Sequence, residues 1–274
     1  MRVWLDDGLV AQAQAKVSVF DHGLTVGDGV FETLSVLDGA VFARTRHIER
    51  LIRSAGLMGL VPPPPERVAE AVEAVVEANR DELGSLARCR ITCTSGPGPA
   101  GSERGPGPAT LVVTVSPAQP WPPTTAVLTV PWPRNERSPL AGVKSTSYAE
   151  NAIALAAARA RGASEALVAN TRGELCEGTG SNVFVVLDGT VRTPALDSGC
   201  LAGITRALVL EWFGGEQEAL PMAALGEADE VFLTSSTRNV HPVDRLDGQE
   251  RRPGPVSIGL ARAFVARMRD DLDP

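Results

Sequence analysis

Two side chains stand out as able to do chemistry, Lys144 and Glu177. Of 26 lysines and arginines in the 274-residue chain, only Lys16 and Lys144 are lysine. Arginine stays protonated, whereas a desolvated lysine loses its proton and attacks carbonyl carbon. A lone lysine is most often a solvated loop cation. Lys144, however, follows the small apolar run Leu140-Ala141-Gly142-Val143 and precedes Tyr148 and a helical stretch. That is a half-buried setting, in which an ammonium deprotonates more readily. Glu177 closes a short strand, Glu174-Leu175-Cys176, and opens Gly178-Thr179-Gly180, where glycines let backbone approach a ligand closely. Taken alone, it reads as a turn carboxylate in water.

A lysine that captures an aldehyde and a carboxylate that keeps a pyridine nitrogen protonated are the two groups an electron-sink cofactor needs. Six segments extend the pattern: Gly27-Asp28-Gly29-Val30-Phe31-Glu32, His47-Ile48-Glu49-Arg50-Leu51, Leu140 to Lys144, Glu177 to Phe184, Gly203-Ile204-Thr205-Arg206 and Thr234-Ser235-Ser236. Together, and in this order, they resemble the class IV aminotransferases, the fold-type IV pyridoxal 5′-phosphate (PLP) enzymes. The resemblance covers residues 18 to 248.

The resemblance implies roles residue by residue. Lys144 bonds PLP and shuttles the substrate proton. Glu177 holds the ring nitrogen, Tyr148 hydrogen-bonds the ring's phenolic oxygen, and Ser181 and Asn182 shape the surroundings. Arg50 holds the phosphate; a guanidinium fork suits it. Gly203, Ile204 and Thr205 offer backbone N–H groups at a helix start, which also suit a phosphate, with Ser235 and Ser236 nearby. Phe31, Thr33 and Arg104 are the implied substrate contacts. No metal is called for, and three histidines leave little material for one.

The reaction is read against three branches. Branched-chain L-aminotransferases place an arginine shortly after the Phe-Glu pair, where this chain has Ser35. D-Amino-acid aminotransferases and aminodeoxychorismate lyases carry an arginine in the lid loop, where this chain has Ala100. Arg104, Arg134 and Arg137 are the substitutes in sequence. The reading favours transfer of an amino group from a D-amino acid or (R)-amine to a 2-oxo acid. The alternative is 4-amino-4-deoxychorismate lyase, whose Leu-Ala-Gly-Val-Lys segment is similar. The partners are therefore small amines and 2-oxo acids, and the family implies a homodimer with a shared active site.

The positioning elements follow from the pattern. An α+β fold is expected, with a small N-terminal α/β domain (1–117), a Pro-rich linker (118–124), and a larger, barrel-like C-terminal domain (125–274). The family holds PLP between such domains. Strands are expected at 17–20, 30–37, 86–94, 110–116, 126–130, 166–169, 183–187 and 230–234, and helices at 44–57, 66–79, 149–161, 203–213 and 258–272. Asp38-Gly39 and Asp188-Gly189 read as hairpin turns. The Gly/Pro-rich stretch Ser95–Pro108 reads as a lid or pocket wall, or equally as a mobile hairpin tip. Cys89, Cys93, Cys176 and Cys200 have no metal spacing and read as buried thiols. A net charge of −7 argues against nucleic acid and anionic membrane as partners. With no apolar run of signal or membrane-spanning length, the expected location is the cytoplasm.

Overall fold

The computed structural model describes residues 1–274. The chain falls into two compact units. The first comprises Met1–Pro120, Val143–Tyr148 and Asp271–Pro274; the second comprises Trp121–Gly142 and Ala149–Asp270. Two late segments thus join the first unit, and one of them carries Lys144.

The first unit is a six-stranded antiparallel sheet backed by helices. Its strands are β1 (Arg2–Leu5), β2 (Gly8–Ala11), β3 (Gly29–Leu37), β4 (Ala40–Val41), β5 (Leu86–Thr94) and β6 (Thr110–Pro117), in the spatial order β2-β1-β6-β5-β3-β4. The β3–β4 hairpin turns at Asp38 (φ 48°) and Gly39 (φ 82°), the paired positive φ values that match the twist of the flanking strands. Helix α1 is the single turn His22–Thr25, and α4 is Arg80–Leu83. Helices α2 (Arg44–Leu57) and α3 (Pro65–Ala78) put Ile48, Leu51, Val68 and Val72 into one core with Val30, Leu34 and Ile91. Period-2 alternation leaves the other sheet face to Phe31, Thr33, Arg88, Arg90 and Thr92. Cys89 and Cys93 lie on the core side, where burial pushes both thiols up to about 12.

Helix α2 starts in an unusual way. Its N-cap is Ala43, in the left-handed region at φ 50°, so no side chain of its own caps it. The C-terminal tail does the work instead. Ala43 N–H donates to Leu272 O, while Thr45 N–H and hydroxyl donate to the two carboxylate oxygens of Asp273 at 2.9 and 2.6 Å.

No strand forms over Val17–Phe20, contrary to the sequence expectation. Ser18 takes over that stretch: its hydroxyl accepts from Phe20 N–H and its carbonyl from Asp21 N–H, giving a turn. Val19, Phe20 and Leu24 are left exposed.

The second unit is built on a nine-stranded mixed sheet. In chain order its elements are β7 (Thr125–Thr129), α5 (Ala149–Arg159), β8 (Glu165–Ala169), β9 (Leu175–Gly178), β10 (Asn182–Leu187), β11 (Thr190–Pro194), α6 (Ile204–Phe213), β12 (Glu216–Glu218), α7 (Ala224–Glu227), β13 (Glu230–Ser235), β14 (Asn239–Leu246), β15 (Gln249–Glu250) and α8 (Pro255–Asp270). The main path runs β12-β11-β10-β13-β14-β7-β8-β9, with β15 on β14. Strand β9 ends this path, yet a three-residue turn connects it to β10, and Gly178 N–H bonds to Ser181 O at 2.7 Å. A sheet whose last strand returns to its third must curl, which is the barrel-like form expected. Strand β14, which is not among the strands expected from sequence, carries Pro242, a residue unfavourable inside a sheet. The proline is accommodated because the parallel pairing with β7 begins only at Val243. No helix of the chain is long and apolar enough to cross a membrane.

Candidate active site

In the first unit, Lys144 is held by backbone. Phe31 N–H donates to Lys144 O (3.0 Å), Thr146 N–H to Gly29 O (2.8 Å), and Ser145 bridges Val30. The lysine segment therefore runs beside the start of β3. Its Nζ lies 4.5 Å from the centroid of the Phe31 ring. Tyr148 meets the same ring edge-on at 5.3 Å, and Arg90 Cζ lies 3.7 Å from its centroid. One aromatic ring thus gathers an amine, a phenol and a guanidinium. Thr33 sits across from Arg90 in the β3–β5 register.

On the opposite face of β3, Glu32 is fully buried. It takes two hydrogen bonds from Arg50, Nε to Oε1 and Nη2 to Oε2, each 2.7 Å, and His47 Nδ1 lies 2.7 Å from Oε2. His47 and Arg50 are three residues apart on α2 and so share the face turned to β3. Burial resists ionisation of Glu32, but the charge and hydrogen bonds of Arg50 and His47 outweigh it and hold the carboxyl well below its usual range. Burial, aided by the nearby Arg50 and Lys144 charges, pushes His47 below its ordinary 6.5 against the pull of Glu32. His47 is accordingly a neutral donor to an ionised Glu32.

Arg104 is engaged elsewhere. Its Nε and Nη2 donate to Asp28 (2.6 and 2.7 Å), and Nη1 and Nη2 also donate to Gly59 O and Met58 O (2.9 and 2.8 Å). Four of its five donors are spent on this strap. The loop that carries it is pinned further: His22 N–H to Gly96 O, Gly98 N–H to Phe20 O, and His22 Nε2 to Pro99 O at 2.9 Å. Ser95–Pro108 is a fastened wall of the first unit.

In the second unit, Glu177 Oε2 accepts from Leu201 N–H (2.9 Å), and Oε1 lies 3.3 Å from Arg134 Nε. Arg134 is itself braced on Asn151. The turn after Glu177 is organised by Glu165, a buried carboxylate. Glu165 accepts from Thr179 N–H (3.0 Å), from the Thr179 hydroxyl and from the Ser181 hydroxyl (2.9 Å). Ser181 is thus a strut of the turn. Asn182 Nδ2 donates to Leu201 O (2.8 Å), and a Cβ on Gly203 would overlap Asn182 Oδ1. Only glycine therefore lets the start of α6 sit this close. That helix has no side-chain cap, so the first-turn N–H groups of Ile204 and Thr205 are available to an anion. Asn182 pairs with Thr234 in the sheet, and the buried Thr234 hydroxyl has no partner. Next to it, Ser235 Oγ accepts from Arg238 N–H (3.2 Å).

In the second unit, an uncapped helix start beside an orphaned buried hydroxyl is what a phosphate-bearing group would satisfy; the Lys144 amine of the first unit is of the type that captures an aldehyde, and the Glu177 carboxylate of the second is of the type that keeps a pyridine nitrogen protonated. The class IV aminotransferase family model matches residues 29–246. This chain belongs to the class IV aminotransferases. Their cofactor is PLP, and the chain is an enzyme of that PLP-dependent fold.

Several class IV relatives are similar over nearly their whole length. A putative branched-chain-amino-acid aminotransferase of Methanocaldococcus jannaschii is 34% identical across 96% of this chain and 95% of its own. A D-alanine aminotransferase of Listeria monocytogenes is 30% identical across 97% and 95%. Among solved structures, the branched-chain aminotransferase of Thermoproteus uzoniensis with norvaline superposes at a TM-score of 0.89 with 30% identity, covering 97% of this chain and 93% of its own. A hypothetical aminotransferase from Mycobacterium tuberculosis in its PLP-bound form does so at 0.85 with 27% identity, covering 97% and 100%.

Sequence reasoning missed Arg90 and Glu165; it named Arg134 only as a substitute substrate anchor and Thr234 only within the Thr234-Ser235-Ser236 segment. Of the two missed, only Arg90 left a signal, as a cation alternating with buried Cys89 and Ile91 on a strand.

Proposed function

We propose that this class IV aminotransferase moves an amino group from a D-amino acid to a 2-oxo acid, and that Arg90 receives the substrate carboxylate. The observation that carries the second part is the Phe31 ring shared by the Lys144 amine and the Arg90 guanidinium. A substrate whose amine meets Lys144 has a fixed cation ready for its acid group, and Arg104 is tied to Asp28. The D-alanine aminotransferases of Listeria and Staphylococcus, 30% and 29% identical, support the hand of the substrate. Ser35, at the position after the Phe-Glu pair where branched-chain enzymes carry arginine, weighs against the L-specific reading.

When bound, the cofactor supplies an aldehyde and an electron-withdrawing ring that stabilises negative charge at the substrate's α-carbon. Lys144 would hold the aldehyde, and its Nζ would serve as base and then acid for the substrate's α-proton. Glu177, oriented by Leu201 N–H and Arg134, would keep the ring nitrogen protonated, and Tyr148 would donate to the phenolic oxygen. Arg50, oriented by Glu32, and the Gly203–Thr205 helix start would hold the phosphate, with Ser235 and Ser236. Asn182 fixes that helix start through Leu201. Phe31 and Thr33 form the substrate floor.

A homodimer belongs to this reading. Val19, Phe20 and Leu24 are exposed within six residues of chain, an apolar strip of the kind a second subunit covers.

The test offers the PLP-loaded enzyme D-alanine with 2-oxoglutarate, L-leucine with 2-oxoglutarate, and aminodeoxychorismate, each separately. Conversion to the pyridoxamine form with D-alanine is expected. Conversion with L-leucine alone would overturn the assigned hand. Release of pyruvate and 4-aminobenzoate with no amino transfer would make the chain the alternative lyase.

A further inference from the structure

The roles assigned to Gly203, Ile204 and Thr205 leave out the fourth residue of their segment, Arg206. Two arginines are buried, Arg50 at 4% exposure and Arg206 at 3%. Arg50 has the Glu32 carboxylate; Arg206 has none. Its Nη2 donates to two uncharged oxygens, Pro194 O on β11 and Gln217 Oε1 on β12, each at 2.8 Å. Its Nε is buried without a partner. Burial lowers its pKa, and only the Cys200 thiol acts in the opposite sense. That thiol is itself pushed up by burial and stays neutral. Arg206 is therefore a buried cation with no counter-ion in the chain.

Its place on α6 adds to the imbalance. With Gly203 as the N-cap, Arg206 is the third residue of the helix, and the first turn holds no acidic side chain. A helix N-terminus carries partial positive charge, which repels a cation and attracts an anion. Arg206 packs against the cap itself, since a Cβ on Gly203 would lie 3.3 Å from Arg206 Cβ. Charge of one sign is thus concentrated in the first turn of α6, next to the Asn182–Thr234 pair whose buried Thr234 hydroxyl is unmet. An unpaired buried charge is strongly destabilising. An anion at the helix start corrects both faults at once, and in a buried site salt screens that attraction little.

Resting on the reading of the Gly203–Thr205 helix start as the phosphate site, we propose that Arg206 is a positioning residue for the cofactor, with the cofactor's phosphate as the missing counter-ion of its buried charge. The guanidinium stays on Pro194 O and Gln217 Oε1 and acts through its field on an anion held by the Ile204 and Thr205 N–H groups. Its charge is permanent, because arginine stays protonated even where burial lowers its pKa. The consequence is selectivity. The site prefers a phosphorylated pyridine aldehyde to the same ring without phosphate by more than the helix start alone provides. The cofactor-free protein, in turn, carries the charge unpaired. A carboxylate placed beside Arg206 within the chain would satisfy it and remove the advantage.

The experiment titrates cofactor-free protein with PLP and with pyridoxal, which share the ring and aldehyde and differ in the phosphate, and reads both Kd values by fluorescence. Wild type, Arg206→Gln, Arg206→Lys and Gln217→Glu are compared. The wild type is expected to bind PLP far more tightly than pyridoxal. Arg206→Gln keeps a donor for Pro194 O without the charge. It should lower the preference for PLP about tenfold while the pyridoxal Kd stays near wild type. Arg206→Lys keeps the charge and most of the preference. Gln217→Glu leaves Arg206 in place and gives it a counter-ion, so it too should lower the preference. This near-isosteric change at an exposed position tests the charge even if Arg206→Gln does not fold. A preference within about twofold of wild type in either neutralised protein overturns the proposal. So does an equal loss of PLP and pyridoxal binding in Arg206→Gln, which is what a mere strut would give. A wild type that binds pyridoxal as tightly as PLP removes the helix start as the phosphate site, a result separate from the other two.

Discussion

The Glu32 carboxylate lies edge-on to the Arg50 guanidinium, with Oε1 2.7 Å from Nε and Oε2 2.7 Å from Nη2. The pair is buried on both sides, so neither charge has water to fall back on. Removing one partner leaves the other ionised and unpaired, at a cost of about 3–5 kcal/mol. Glu32→Gln is expected to shift the urea unfolding midpoint of the cofactor-free protein by that order. An unchanged midpoint would show that Arg50 finds another partner.

The same cluster sets an acid limit. In the folded chain both Glu32 and His47 have pKa values below their ordinary 4.5 and 6.5. The unfolded chain therefore binds more protons than the folded one, and stability rises with pH. The His47 contribution is complete above pH 6.5 and is lost as pH falls below it. The Glu32 contribution is lost further down, as pH drops from 4.5. His47→Gln should flatten the slope of unfolding free energy between pH 6.5 and 5 relative to wild type, measured by urea titration across that range.

Arg90 and Arg104 are separable. Hydrogen bonds to charged groups are worth roughly 1.5–3 kcal/mol, so Arg90→Ala should cut kcat/KM by about ten- to a hundredfold if it anchors the carboxylate. Arg104→Ala should cost far less in kcat/KM. Its signature is mechanical: freeing Asp28, Met58 O and Gly59 O loosens the wall, and protease nicking within residues 96–108 should rise. A larger kinetic loss in Arg104→Ala than in Arg90→Ala would reverse the assignment.

Glu165 supports the turn between Glu177 and Asn182 by accepting three hydrogen bonds from it. Glu165→Ala leaves those donors unmet and should weaken PLP binding by about 1–3 kcal/mol. Glu165→Gln keeps one acceptor oxygen and should recover part of that loss. Fluorescence titration of cofactor-free protein with PLP measures both. Equal affinity in all three proteins would separate the turn from the cofactor.

The tail cap on α2 predicts a long-range effect. Asp273→Ala removes the acceptor for Thr45 N–H and hydroxyl, a loss of roughly 1 kcal/mol as for other N-caps. Tm should fall by a few degrees.

Much of this was legible in sequence because local rules and global fold agree. Helix α2 and strand β5 were read from pattern to the residue; Lys144 was singled out by residue type and context, whereas Glu177 and the Gly203 helix start took their proposed roles from the family resemblance. What escaped depends on registers no local pattern encodes. Arg90 earns its place only through the β3–β5 pairing that sets it beside Phe31, and Asp273 caps a helix 228 residues earlier. Arg104 shows the same limit: its bonds to Asp28 and to the Met58 and Gly59 carbonyls join segments far apart in sequence.

The central claim is that the Lys144 amine carries the cofactor. Borohydride reduction of the PLP-loaded enzyme, followed by peptide mass mapping, reads this directly. The phosphopyridoxyl adduct is expected on the peptide containing Lys144, with none formed in Lys144→Ala. An adduct on Lys16, or full retention of transaminase activity in Lys144→Ala, would contradict the account.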